Sequence, residues 1–392
     1  MNNTIRVGVI GIGNMGTAHA ACLQKGAVDG LSLAAVCDCN PQKRAVCVEK
    51  FPSVPFFDDW QQLIAAKAVD AVIIATPHRF HAHIAQAALE AGLHVMCEKP
   101  VDITVSAARR LNEAAAKSDR VFGIMFNQRT NPLFAKAREL VQSGAIGEIK
   151  RTNWLITNWY RTQAYYDSGD WRATWAGEGG GVLLNQAPHN LDLWQWICGM
   201  PTRLMAFCPV GKYHDIEVED EATLLVEYAN GATGCFITST GEFPGTNRLE
   251  IVGDRGQLVL EKGVLKYWQL NENEREFCYS CTAGFAEIPH TYTEYTPDRP
   301  ETAHQGILQN FANAILHGEP LLANGTDGIF ELTLSNAAYL SAWNNNQWID
   351  LPFDSGAFDR QLAERCATSA FRENVTHEAA QDGYRPRWSV NW

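Results

Sequence analysis

The chain reads as an α/β protein whose first third folds on a parallel sheet and whose remainder carries a large, mostly antiparallel open sheet with helices. Three observations predict this. Up to about residue 125, short β-branched runs alternate with Ala-rich helical stretches. Beyond Arg129 the strands lengthen and alternate in polarity, and two helical stretches close that half. The 392 residues also exceed what one hydrophobic core usually organises, so two units are expected, 1–125 and 126–392.

In the first unit, strands are expected at 5–10, 32–37, 71–75, 94–97 and 121–125. Helices fill the gaps at 16–25, 41–50, 60–66, 81–91 and 105–117, which makes parallel pairing through crossovers the natural connection. In the second unit a helix at 132–143 precedes strands at 149–159, 203–210, 221–228, 232–240, 248–252, 257–260 and 264–268. Helices at 304–316 and 325–343 follow. The last segment, about 353–392, is polar and aromatic and ends in RPRWSVNW, which reads as an extended arm.

Acidic residues outnumber basic ones by 44 to 32, for a net charge of −12, and no Lys/Arg cluster interrupts that balance. Nucleic acid and anionic membrane are therefore not expected as partners. The opening MNNTIRVGVI runs straight into a strand, and no apolar stretch reaches membrane length, so a cytoplasmic protein is expected. The 11 cysteines are odd in number and several, such as Cys37 and Cys235, sit in apolar runs, which suits reduced thiols. Cys278 and Cys281 form a lone C-x-x-C, and His78, His81 and His83 have no acidic residue nearby, so no metal is expected.

Glycines carry the first functional signal. Gly11, Gly13 and Gly16 form G-x-G-x-x-G directly after IRVGVI and open a helix, with Asn14 and Met15 in the turn. The first permits a tight turn, the second lets a pyrophosphate approach the backbone, and the third lets helix pack on strand. The helix N-terminus adds free N–H groups and the positive end of its dipole. The second strand ends in Asp38, placed to accept from an adenosine ribose hydroxyl. Together these spacings indicate a Rossmann domain that binds NAD; Lys43 and Arg44 nearby leave room for NADP. Thr76 and Pro77 follow the next apolar strand and His81 lies just beyond, so all three are expected along the cofactor.

Glu98 and Lys99 end the strand HVMC at the same edge. An ammonium there can donate to a substrate hydroxyl and help lower its pKa; a surface ion pair is the plain alternative. Further on, GEGGGVLLNQAPHNLDLW sets three glycines before Asn185, His189 and Asp192, spaced i, i+4 and i+7 as on one helical face. Pro188 belongs in a first helical turn, which would leave Asn185 in the loop leading in. A His beside a positioned polar group can draw off an alcohol proton, although a buried His more often packs at an interface.

GIGNMG, ATPHRFHAHIAQAALEAGLHVMCEKP, GAIGEI and the GGG…NQAPHNLD stretch together resemble the Gfo/Idh/MocA family of oxidoreductases over roughly residues 5–345. The resemblance implies a Rossmann domain followed by an α/β domain whose open sheet carries the oligomer interface, hence a homodimer or homotetramer. It also implies oxidation of sugar or cyclitol hydroxyls, or reduction of the ketones, with NAD or NADP. Residue by residue, it assigns Lys99 to the substrate hydroxyl and the nicotinamide end, and His189 to acid/base work. The family pattern D-x-G-x-H-x-x-D is broken here by Asn185 and Ala187. Asn185 carries no charge, so Asp192 or Lys99 is expected to take over part of that carboxylate's work.

Tyr160, Arg161, Trp171 and Arg172 precede the glycine loop. Aromatic faces stack on the C–H faces of a pyranose and Arg donates to its hydroxyls, so these four are expected at the substrate. The reaction expected is NAD-dependent oxidation of a secondary hydroxyl of a sugar, glycoside or inositol. The alternative is redox-neutral glycoside cleavage through a transient 3-keto sugar with recycled NAD.

Overall fold

A computed structural model describes residues 4–169 and 171–370. Among them, six parallel strands form the first sheet: β1 (Ile5–Ile10), β2 (Leu31–Cys37), β3 (Phe56–Phe57), β4 (Ala71–Ile74), β5 (His94–Cys97) and β6 (Phe122–Ile124). Their order is β3-β2-β1-β4-β5-β6. The order reverses between β1 and β4, which opens a crevice beyond their carboxyl ends where such sheets hold ligands. Helices on both sides leave the strands apolar throughout: Val7, Val9, Ile73, Val95 and Met96 are wholly buried. The edge strand β3 was not expected, because two residues are too few to show a period.

The second sheet comprises β7 (Ile149–Ile156), β8 (Arg203–Phe207), β9 (Glu221–Glu227), β10 (Thr233–Ser239), β11 (Asn247–Gly253), β12 (Gly256–Glu261), β13 (Val264–Leu270), β14 (His290–Tyr295) and β15 (Ile349–Asp350). They run in the order β14-β13-β12-β11-β7-β10-β9-β8-β15, antiparallel except for the parallel pair β7 and β10. Polarity alternates as one covered face requires: Ala222, Leu224 and Val226 are buried, while Leu225 turns outward. The helices Pro132–Gln142 and Pro188–Cys198 supply the cover, with Phe134 against Trp154 at 5.7 Å and Trp194 stacked on Phe236 at 5.4 Å. On the outer face Arg151, Glu250, Arg248 and Glu261 form an ion-paired row.

The segment after 353 departs from the extended arm expected. Ser355–Thr368 is a helix, started by Asp354, whose side chain accepts from the Gly356 N–H at 2.9 Å. It buries Phe358 and Leu362, with Phe358 stacked on Trp343 at 5.3 Å. Ser106 donates to Asp359 at 2.6 Å and Arg109 to Ser355 at 3.3 Å, so this helix fastens onto the helix Val105–Ala115 of the first half. Its buried stripe is only two residues wide, which the polar composition masked. The ending RPRWSVNW lies outside the described residues. Among those described, no helix is long and apolar enough to cross a membrane, and no group of three or more His, Cys, Asp or Glu could hold a metal.

Candidate active site

The turn after β1 is built for close approach. Gly11 has φ of +91°, and a Cβ on it would come within 2.7 Å of the Ala75 carbonyl and the Thr76 nitrogen. A Cβ on Gly16 would meet the Gly11 carbonyl oxygen at 1.7 Å, so the helix Asn14–Gln24 lies directly on the turn. Gly13 differs, because a Cβ there would meet nothing within 4 Å. It stands at a helix N-terminus that no side chain caps, with Asn14 and Met15 as the first two helical residues. Open space beside free N–H donors is what a pyrophosphate needs.

Asp38 accepts from the Ile12 N–H at 2.7 Å and the Asn40 N–H at 2.9 Å, which fixes its carboxylate at the turn and leaves lone pairs for a ribose. Arg44 is committed elsewhere. It pairs with Asp58 and lies 4.8 Å from the centre of the Phe56 ring, which removes one candidate for holding a 2′-phosphate. Thr76 Oγ1 is buried with no hydrogen-bond partner among the described residues, and Pro77 leads into the short turn His78–Phe80. The two ring nitrogens of His81 lie 2.7 Å from the Pro100 carbonyl and 2.7 Å from the Thr76 carbonyl, and the nitrogen that carries the hydrogen donates to its carbonyl. His81 therefore ties the loops after β4 and β5 together and has no ring nitrogen left to offer a cofactor.

Glu98 sits inside the same edge, with Oε1 2.7 Å from His19 Nε2 and Oε2 accepting from the Lys99 N–H at 3.2 Å. Burial favours its neutral form, but the His19 hydrogen bond and the charges of His19, His304 and Lys99 outweigh that and hold it down at about 2. Lys99 donates from Nζ to the Asn185 carbonyl at 2.8 Å. Burial draws its pKa down, opposed by Glu98, Glu331 and Glu178.

His189 lies in the first turn of the helix Pro188–Cys198, edge-on to Phe126 at 6.5 Å between ring centres. Its Nδ1 is buried without a hydrogen-bond partner among the described residues. Burial, then the charges of Lys99 and His304, push its pKa well below the ordinary imidazole value. The ring is thus a neutral base near pH 7.

Asn185 ends the short helix Val182–Asn185 and Pro188 starts the next, so Asn185, His189 and Asp192 do not share one helix. Asp192 is turned to Arg129. Both its oxygens accept from Arg129, at 2.9 and 2.6 Å, and Arg129 also donates to Asp327 at 2.7 Å. The carboxylate beside Asn185 is Glu178, which accepts from the Asn185 side-chain amide and from the Ala173 N–H at 2.7 Å.

Arg172 donates to the Tyr165 hydroxyl at 2.8 Å and lies over the Trp171 ring at 4.7 Å. Tyr165 donates onward to Asn185 Oδ1 at 3.4 Å, and Trp171 meets His78 edge-on at 5.9 Å. Trp171 and Arg172 thus join the β4 loop to Asn185. Arg161 lies 5.1 Å from the Tyr165 ring centre and donates to the Trp159 and Tyr160 carbonyls. Tyr160 is 46% exposed and its ring packs edge-on to Phe243 at 5.8 Å between centres.

Several residues here were not singled out from the sequence. Glu178 stood next to the glycines and could have been weighed as an acid. His19, His304 and Glu331 gave no signal, because only tertiary contact brings them in. Glu331 is wholly buried, and both its carboxylate oxygens lack hydrogen-bond partners among the described residues.

A six-stranded parallel sheet with an uncapped glycine turn, a fixed acid after β2, and Lys99 and His189 at its carboxyl edge define a dinucleotide-dependent oxidoreductase. Residues 5–126 match the model of the oxidoreductase family with NAD-binding Rossmann fold, and residues 134–259 match the GFO/IDH/MocA C-terminal domain. The chain belongs to this family. It is 26% identical to the myo-inositol 2-dehydrogenase of Thermotoga maritima, over 85% of this chain and 95% of that one. It is 25% identical to the levoglucosan dehydrogenase of Pseudarthrobacter phenanthrenivorans, over 89% and 98%. Among solved structures, the WlbA dehydrogenase of Bordetella pertussis in complex with NADH and UDP-GlcNAcA superposes with a TM-score of 0.74 at 24% identity, covering 90% of this chain and 100% of that one.

Proposed function

We propose that this protein oxidises a secondary hydroxyl of a sugar, glycoside or inositol, or reduces the matching ketone, with NAD. NAD, held by Gly11, Gly13, Gly16 and Asp38, supplies the hydride acceptor. Lys99 donates to the substrate oxygen and stabilises the charge that develops on it. His189 takes the hydroxyl proton as the hydride leaves the same carbon. Trp171 and Arg172, joined to Asn185 through Tyr165, line the sugar; Arg161 stands behind them and Tyr160 at the margin.

The observation that carries this reading is the meeting of Lys99 with the Asn185 carbonyl, four residues before a neutral His189 whose Nδ1 is buried without a hydrogen-bond partner among the described residues. The names of the relatives support it, being inositol and levoglucosan dehydrogenases. The outward face of the second sheet, with Phe207 and Leu225 exposed, is our candidate contact for a homodimer or homotetramer.

The test is purified protein with NAD and a panel of hexosides, inositols and their ketones, read by NADH absorbance. Net NADH formed from at least one hydroxyl substrate is expected. Silence across the panel overturns the reading, and glycoside cleavage without net NADH would move the reaction to the redox-neutral class.

A further inference from the structure

The D-x-G-x-H pattern is broken in this chain by Asn185, yet the site is not short of a carboxylate. Glu178, the residue before the three glycines, is only 1% exposed. One of its oxygens takes the Asn185 side-chain amide and the other the Ala173 N–H. Asn185 is committed on every side: its amide nitrogen to Glu178, its amide oxygen to Tyr165, its backbone N–H to Gly181 at 2.9 Å and its carbonyl to Lys99 at 2.8 Å. The side-chain amide donates to Glu178 and accepts from Tyr165, and holding the residue in this way fixes the backbone carbonyl that takes the Lys99 ammonium.

We propose that Glu178, acting through Asn185, is the carboxylate that positions Lys99 as the charged donor at the substrate oxygen. The carboxylate stands one hydrogen bond from position 185, at Glu178, and Asn185 links it to the backbone carbonyl that takes Lys99. Glu178 is a positioning residue on this view, and the assignment rests on the dehydrogenase reading above for its catalytic consequence. Burial pulls Lys99 toward its neutral form, and Glu98, Glu331 and then Glu178 oppose this, against the charge of Arg172. Burial also raises the Glu178 pKa, and Arg172, the Ala173 N–H, the Asn185 amide and Lys99 act to hold its carboxylate. His189 and His304, on the helices Pro188–Cys198 and Ala303–His317, also sense the Lys99 charge.

Three variants of the full chain test this: Glu178→Gln, Asn185→Leu, and the double variant Glu178→Gln/Asn185→Asp. In the double variant the direction of the side-chain hydrogen bond is reversed and the carboxylate returns to position 185. Two measurements are made, kcat and KM across pH, and the titration of Lys99 by pH-dependent competitive acetylation read by mass spectrometry. Glu178→Gln and Asn185→Leu are expected to lower kcat about tenfold or more, with a smaller change in KM, and to shift the Lys99 titration to lower pH. The double variant is expected to restore both. Unchanged Lys99 titration and kcat in Glu178→Gln, or losses that the double variant does not restore, overturn the proposal. Should Glu178→Gln not fold, Asn185→Leu and the double variant decide it in the same way. Should no substrate be oxidised by the wild-type chain, the dehydrogenase reading fails, and the Lys99 titration alone still decides whether Glu178 holds Lys99.

Discussion

Lys99 Nζ and the Asn185 carbonyl, 2.8 Å apart, join the carboxyl edge of β5 to the glycine-rich loop that leads to His189. This hydrogen bond holds the ammonium against the loop that leads to His189. Lys99→Met keeps most of the stem and removes the donor. Its kcat is expected to fall about 10²-fold or more, while NADH affinity, read by fluorescence titration, stays within about threefold. A loss confined to NADH affinity would instead make Lys99 a cofactor anchor.

His189 makes the pH dependence of oxidation predictable in sign. A base must be unprotonated, and burial with nearby cations lowers the pH at which this imidazole takes a proton. The acid limb of kcat is therefore expected below 6.5, the ordinary imidazole value. His189→Gln should lower kcat by about 10²-fold to 10⁴-fold and abolish that limb. A limb at 6.5 that survives in the variant would assign the base elsewhere.

Asp38, oriented by two backbone N–H groups, is expected to set the preference between NAD and NADP through its charge. Asp38→Ser keeps a small acceptor and removes the repulsion toward a 2′-phosphate. The NAD-to-NADP ratio of kcat/KM is expected to drop about tenfold to a hundredfold, equal to about 1.4 to 2.8 kcal/mol. An unchanged ratio would mean that another residue reads the ribose.

Asp192 is placed by the structure in the framework, paired with Arg129 where both are nearly inaccessible. Asp192→Ala leaves a buried guanidinium with Asp327 as its one remaining carboxylate among the described residues, and should destabilise the fold by about 3 to 5 kcal/mol in denaturant melts. The pH profile of the folded fraction should match wild type. A shifted acid limb would show that Asp192 acts on His189 after all.

Much of this was readable in the sequence because local rules govern it. The three glycines, Asp38 and the strand ends at Thr76 and Lys99 follow from the period of β-strands and the backbone demands of a tight turn. Both sheets were visible for the same reason, as apolar runs in the first and alternation in the second. What escaped depends on contacts far along the chain. Glu98 meets His19 across 79 positions, and Arg129 meets Asp192 across 63. The helix Ser355–Thr368 needs only Phe358 and Leu362 to dock, too little for a periodic signal. Proline 188 was legible, and its break of the helix is why Asn185 answers to Glu178 and Lys99 rather than lining up with His189.

On the proposed reading, Lys99 and His189 act on one carbon whose hydrogen passes to NAD. The most direct measurement is a turnover with a sugar or inositol deuterated at the reacting carbon, followed by mass spectrometry of the nucleotide. Deuterium is expected in the NADH formed by the wild-type chain, and the rate of that transfer is expected to fall about 10²-fold or more in Lys99→Met and His189→Gln alike. Deuterium retained in the sugar or released to water, with product still formed, would contradict it.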